Sequence, residues 1–206
     1  TIGIQAALFH RQLTGEATKV DIGMLDCQLA LLENAVMRYQ VSGTAPGPLG
    51  ARHPSITPFE AYKTKDGYII ISAGNDGLFA KLAEALENPG WAENPDYSSN
   101  DNRNKHVEKL KIEMESVLTA HTTSHWIEVL DKFGVPSGPI NDIGQAATHP
   151  QTIARNMIVS VDDPITGPMK VAGNPIKISG FEDPETRDPA PNLDQNREEI
   201  LRELSD

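Results

Sequence analysis

The sequence predicts a mixed α/β protein in which helix predominates, and three observations carry that expectation. Apolar stripes recur at helical spacing, through Leu25, Leu29, Leu32 and Val36, then Leu110, Met114 and Val117, then Trp126, Val129, Leu130 and Phe133. One continuous apolar run, Tyr68-Ile69-Ile70-Ile71, suits a buried strand. From His149 onward the chain turns to short extended pieces.

The elements follow in order. Residues 1–9 already read as helix, with no capping residue ahead of the apolar pattern, as in a chain cut from something longer. Gly15 is the expected stop. Lys19 to Ile22 is strand-like and feeds one amphipathic helix running to Tyr39. Residues 42–58 are rich in Gly and Pro and mark a connection.

Asp66-Gly67 then turns the chain into the buried strand. Gly74-Asn75-Asp76-Gly77 leads into a helix bearing Leu78, Phe79, Leu82 and Leu86, and the next helix is expected to be capped near Asn100. Val135 to Ile140 leads out of this block. Ile158–Val161 and Met169–Val171 flank a Thr166-Gly167-Pro168 turn, and Pro175–Ser179 alternates like an edge strand. Residues 181–192 read as a Pro- and acid-rich linker, and Ile200, Leu201 and Leu204 sit on a closing helix.

Bulk properties narrow the function classes. Hydrophobic residues at 38% and charged residues at 23% are ordinary for a soluble globular protein of 206 residues. A formal net charge of −11 repels nucleic acid and anionic membrane, so neither is an expected partner. No run approaches the roughly 20 apolar residues of a membrane span, no signal peptide opens the chain, and a cytoplasmic setting is expected. The single Cys27 excludes an internal disulfide and, lying in an apolar run, reads as a buried, inert thiol.

Generic motifs are sparse. His121 and His125 have the spacing of a two-histidine metal face, but Thr122-Thr123-Ser124 reads as a helix break with capping residues, so no metal is expected. The Gly74–Gly77 segment stands after a buried strand and before a helix, where ligands often settle. It lacks the glycine spacing of a nucleotide fingerprint. Two readings stay open and compatible there, a tight turn in which Asp76 caps the helix and a ligand-binding turn.

Three stretches, in order, resemble the class III (CaiB/BaiF) CoA-transferase family. The first is Arg11-Gln12-Leu13-Thr14-Gly15 with Val20-Asp21-Ile22-Gly23-Met24-Leu25-Asp26. The second runs from Gly50-Ala51-Arg52-His53-Pro54-Ser55-Ile56-Thr57-Pro58-Phe59 through Asp66-Gly67 to Gly74-Asn75-Asp76. The third is Val135-Pro136-Ser137-Gly138-Pro139-Ile140-Asn141, His149-Pro150-Gln151 and Pro175 to Gly180.

The resemblance implies a small α/β domain at 58–148, preceded by the end of a Rossmann-like large-domain portion at 1–45 and a linker at 46–57. Residues 149–206 would return to the large domain. It implies about twice this length, interlocked subunits and hence a homodimer or higher oligomer, and an acyl-CoA thioester and a small carboxylic acid as substrates. The family's nucleophilic aspartate would lie upstream of Thr1, so no catalytic nucleophile is expected in the chain and the chain alone is expected to be inactive. Met24, Arg52, His53, Gly74, Asn75 and Asp76 are implied to line the CoA and acyl site, with Asp76 a possible assistant in the chemistry.

Met24 and His53 also read as ordinary structural residues, the methionine in a core and the histidine bonding loop backbone. The glycine-rich loop of oxalate-type members is not evident, which implies other acids. An α-methylacyl-CoA racemase-like enzyme and a non-catalytic acyl-CoA- or partner-binding domain are the alternatives.

Overall fold

The structure, a computed structural model, describes residues 1–205 and divides into two compact units, one from Thr1 to Pro54 and one from Ser55 on. In the first, α1 (Ile2–Thr14) starts without a side-chain cap and stops at Gly15, whose φ of 76° glycine adopts without strain. The single helix expected up to Tyr39 is instead two, α2 (Met24–Leu31) and α3 (Glu33–Ser42). Leu32 leaves the helical region, and its N–H reaches back only three residues, to Leu29, so a tightened turn interrupts the ladder.

Lys19–Ile22 forms no strand, because it has no neighbouring strand to pair with among the described residues. None of the described residues of this unit is buried. Cys27, expected to be buried, is therefore exposed: its helix has an apolar stripe, and nothing within the unit covers it.

The second unit opens with a hairpin of β1 (Phe59–Lys63) and β2 (Tyr68–Ser72), paired antiparallel with Phe59 opposite Ser72 and Lys63 opposite Tyr68. Sequence reading misses β1, since Glu60 occupies one of its two inward positions. Glu60 is buried beside Tyr62 and pairs with Lys111. Five helices follow: α4 (Asp76–Ala85), α5 (Gly90–Glu93), α6 (Asn100–Lys105), α7 (Val107–Leu118) and α8 (Thr123–Lys132). Then β3 (Ser137–Pro139) returns to pair antiparallel with the free edge of β2.

The core lies between this sheet and its helices. Tyr62, Ile69 and Ile71 meet Phe79, Leu82 and Leu86 of α4, Leu110, Met114 and Leu118 of α7, and Trp126 and Leu130 of α8. Burying each of the aliphatic side chains contributes about 1.5–3 kcal/mol. Three of these helix starts have side-chain caps, Asn75 for α4, Ser99 for α6 and Thr122 for α8. The helix expected to be capped near Asn100 is two, and α7 starts at Val107 without a side-chain cap. The capping role expected of Asp76 thus falls to Asn75, one residue earlier. Thr122 separates His121 from α8, as the break between the two histidines requires, and their rings stack at 4.2 Å.

A turn contact fastens the hairpin to α8. Asp66 accepts hydrogen bonds from the Thr123 N–H (2.8 Å) and hydroxyl (3.0 Å). The backbone N–H in particular holds the Asp66 carboxyl below the usual carboxylate range.

Beyond β3, a capping box of Asp142 and Gln145 starts α9 (Ile143–Thr148), and Pro150 opens α10 (Pro150–Ala154). A second sheet has the order β5-β4-β6, from β4 (Ile158–Asp163), β5 (Gly167–Ala172) and β6 (Thr186–Arg187). β4 and β5 form the expected pair about the Thr166-Gly167 turn, while β6 lies in the stretch expected to be a linker and joins β4 in parallel. The edge strand expected at Pro175–Ser179 is absent. Asn174 Oδ1 accepts the Ile176 N–H at 3.0 Å, which bends the backbone into a turn at that point. The closing helix is α11 (Arg197–Glu203), and Ile200 and Leu201 on it are exposed. The mixed fold class holds. No helix of the described residues is long and apolar enough to cross a membrane.

Candidate functional site

The site is built where β2 ends and α4 begins. Ile69, Ile71 and Ala73 are fully buried, so the strand is anchored. The Ser72 N–H donates to the Pro136 carbonyl and the Ala73 N–H to the Pro58 carbonyl, both at 2.9 Å. Gly74, Asn75 and Asp76 then emerge on the surface. Asn75, extended at φ −149°, accepts the Leu78 N–H on its side-chain oxygen at 2.9 Å and so fixes the start of α4. Asp76 is the first residue of the helix, where a carboxylate is favoured by the helix dipole.

Behind this turn stands Arg103 of α6, with no exposed side-chain surface. Its Nη2 donates to Asp76 Oδ1 at 2.7 Å, its Nε to the Thr57 carbonyl at 2.7 Å and its Nη1 to the Tyr97 carbonyl at 2.8 Å. The guanidinium carbon lies 4.5 Å from the centre of the Phe79 ring. Asp76, by contrast, has a side chain 63% exposed, so a buried cation holds a surface carboxylate in one orientation.

The same helix grips the segment before β1. Asn100 Nδ2 and Asn104 Nδ2 both donate to the Ser55 carbonyl at 2.8 Å. Asn100 Oδ1 accepts the Thr57 N–H at 3.1 Å, and Asn104 Oδ1 accepts the Thr57 hydroxyl at 2.6 Å. Residues 55–57 and 74–76, far apart in the chain, are thus tied to one short helix.

Of the residues singled out in the sequence, Gly74, Asn75 and Asp76 come together as this turn. Met24, Arg52 and His53 belong to the first unit. Met24 starts α2 and is 86% exposed, while Arg52 and His53 are half-buried in the loop after α3. Arg103 and Asn104 were not foreseen, and Asn100 was expected only as a helix cap. Their signal was three polar residues at i, i+3 and i+4, which reads equally well as a solvated helix face. Among the described residues no cluster of three or more His, Cys, Asp or Glu is placed to hold a metal.

The mixed helices and sheets of this chain are matched in known proteins, and the matches name a family. The profile of CoA-transferase family III matches residues 1–197, and the chain belongs to that family. It is similar to the acetyl-CoA:oxalate CoA-transferase of Acetobacter aceti, 37% identical over 203 residues, covering 98% of this chain and 51% of that protein. It is also similar to the human succinyl-CoA:glutarate CoA-transferase, 31% identical over 201 residues, covering 98% of this chain and 46% of that one. The chain spans about half the length of the curated relatives it matches.

Among solved structures, a CaiB/BaiF family protein from Brucella suis superposes with a TM-score of 0.79 at 32% identity, over 98% of this chain and 52% of that one. A Mycobacterium tuberculosis protein shares the fold, with a TM-score of 0.78 at 23% identity over 95% of this chain and 50% of that one.

Proposed function

We propose that this chain is the C-terminal part of a CoA-transferase that moves CoA between small carboxylic acids, with the attacking aspartate in sequence ahead of Thr1. What carries the reading is the match of residues 1–197 to a family whose matched relatives are CoA-transferases. In this chemistry an aspartate carboxylate attacks the thioester carbonyl and expels the CoA thiolate, leaving a mixed anhydride. The thiolate attacks the anhydride at the enzyme's carbonyl, releasing the first acid and leaving an enzyme–CoA thioester. The second acid's carboxylate attacks that thioester, and the displaced thiolate then takes the new acyl group.

On this reading residues 1–45 end a large-domain portion, 58–148 form the small domain and 149–206 return to the large domain. Met24, Arg52 and His53 contribute to the CoA side of the cleft. The Gly74-Asn75-Asp76 turn faces the acyl group, with Asp76 assisting. The protein works as a homodimer or higher oligomer in the cytoplasm. One matched relative acts on oxalate and another on glutarate, so the lack of a recognisable glycine-rich loop is no ground for excluding oxalate.

The test incubates the full-length protein with succinyl-CoA or acetyl-CoA and a panel of acids, oxalate and glutarate among them, and separates the CoA esters by chromatography. New CoA esters are expected. Deuterium wash-in at C2 of a 2-methylacyl-CoA without transfer would establish the racemase alternative. CoA-ester binding with neither reaction would establish a binding domain. Turnover by the 206-residue chain alone would contradict the placement of the nucleophile.

A further inference from the structure

Arg103 is unusual in chemistry as well as in burial. An arginine with no exposed side-chain surface requires partners for its charge, and its carboxylate partner lies at the surface on Asp76. With one partner buried and the other at the surface, the distinctive consequence of this pair is geometric. Two arms of the guanidinium are fixed on the backbone carbonyls of Thr57 and Tyr97, and the third is thereby aimed at Asp76. The planar fork reaches three divergent acceptors at once, which a lysine ammonium on one atom cannot do.

We propose that Arg103 is the positioning residue of this site: by bridging the Thr57 carbonyl and the Asp76 carboxylate it sets the 55–57 segment and the 74–76 turn in one working geometry. It acts through Asp76 and touches no substrate itself. This rests on the CoA-transferase reading above for its kinetic consequence, and on geometry alone for the coupling of the two segments.

The test uses the full-length protein as wild type, Arg103→Lys, Asp76→Asn and the double variant. CoA transfer gives kcat and KM, and amide hydrogen exchange follows peptides covering 55–58, 74–78 and α7. Arg103→Lys is expected to lower kcat about a hundredfold, the cost of a misplaced group, with KM for the CoA ester unchanged. Asp76→Asn lowers it similarly, and the double variant falls no further. Exchange rises together at 55–58 and 74–78 while α7 stays protected.

Multiplying losses in the double variant, an unchanged kcat in Arg103→Lys, or exchange rising throughout the unit each overturns the proposal. If the wild type transfers no CoA, the functional reading fails and exchange alone decides. A joint rise at the two segments then sustains the tie, and no rise overturns it. If Arg103→Lys does not fold, Asp76→Asn decides: exchange must rise at 55–58 as well as at 74–78, and a rise confined to 74–78 overturns the proposal.

Discussion

At the scale of single residues, the charges in this chain divide by what they fasten. Arg103 fastens the buried Thr57 to the exposed 74–76 turn, whereas Asp66 fastens the β1–β2 hairpin to α8. The second contact has a pH signature. The Asp66 carboxyl is held below its ordinary range chiefly by the Thr123 N–H, so its contribution is complete above the unfolded carboxyl's pKa and is lost as pH falls through the folded one. Asp66→Ala is therefore expected to melt at a lower temperature than wild type at pH 7. The gap should narrow once pH drops below about 4, the ordinary aspartate range. Melting curves at the two pH values check this, and a gap that is constant or widens at low pH contradicts it. Asp66 was legible as a turn residue from Asp66-Gly67, but its partner 57 positions later was not, because no local pattern reports a tertiary hydrogen bond.

At the scale of elements, the helices that line the core of the second unit were legible, because their apolar faces are buried and their periodicity is the cause of their packing. Leu110, Met114 and Leu118 recur at helical spacing and are all fully buried. The strands were read less well. β2 carries the continuous apolar run Tyr68–Ile71 and was found, whereas β1 carries a buried Glu60 paired with Lys111 on α7, a partner invisible from within the strand. Pro175–Ser179 failed in the opposite sense: it alternates as a strand should, but the Asn174 side chain diverts its backbone.

The start of α4, on which the site depends, rests on the Asn75 cap. Asn75→Ala is expected to cost about 1 kcal/mol in urea unfolding, and Asn75→Asp, which keeps the acceptor, much less. Equal losses in the two variants would show that the cap oxygen is not what holds the turn. Asn75 was within the segment the sequence singled out. The Arg103 support was not, since a buried arginine and a surface one look alike in a polar stretch.

At the scale of the whole molecule, the two units differ in completeness. The second has a core of its own, and the first has none among its described residues: Ile2, Met24, Leu25 and Leu31 are each at least 70% exposed. Apolar helices left in this state associate. The 206-residue chain is expected to run as a dimer or larger species in light scattering, and a monodisperse monomer would contradict that. Family membership follows from the ordered motifs and was legible in the sequence, because those motifs run through turns and loop residues whose identities are fixed by local chemistry. On the proposed function the 74–76 turn, held by Arg103, faces the acyl-CoA. Hydrogen exchange on the full-length protein, with and without saturating succinyl-CoA, tests it most directly. Protection that grows at 73–78 and at 55–58 on adding the thioester is the predicted result. Protection confined to other segments while CoA transfer proceeds would contradict it.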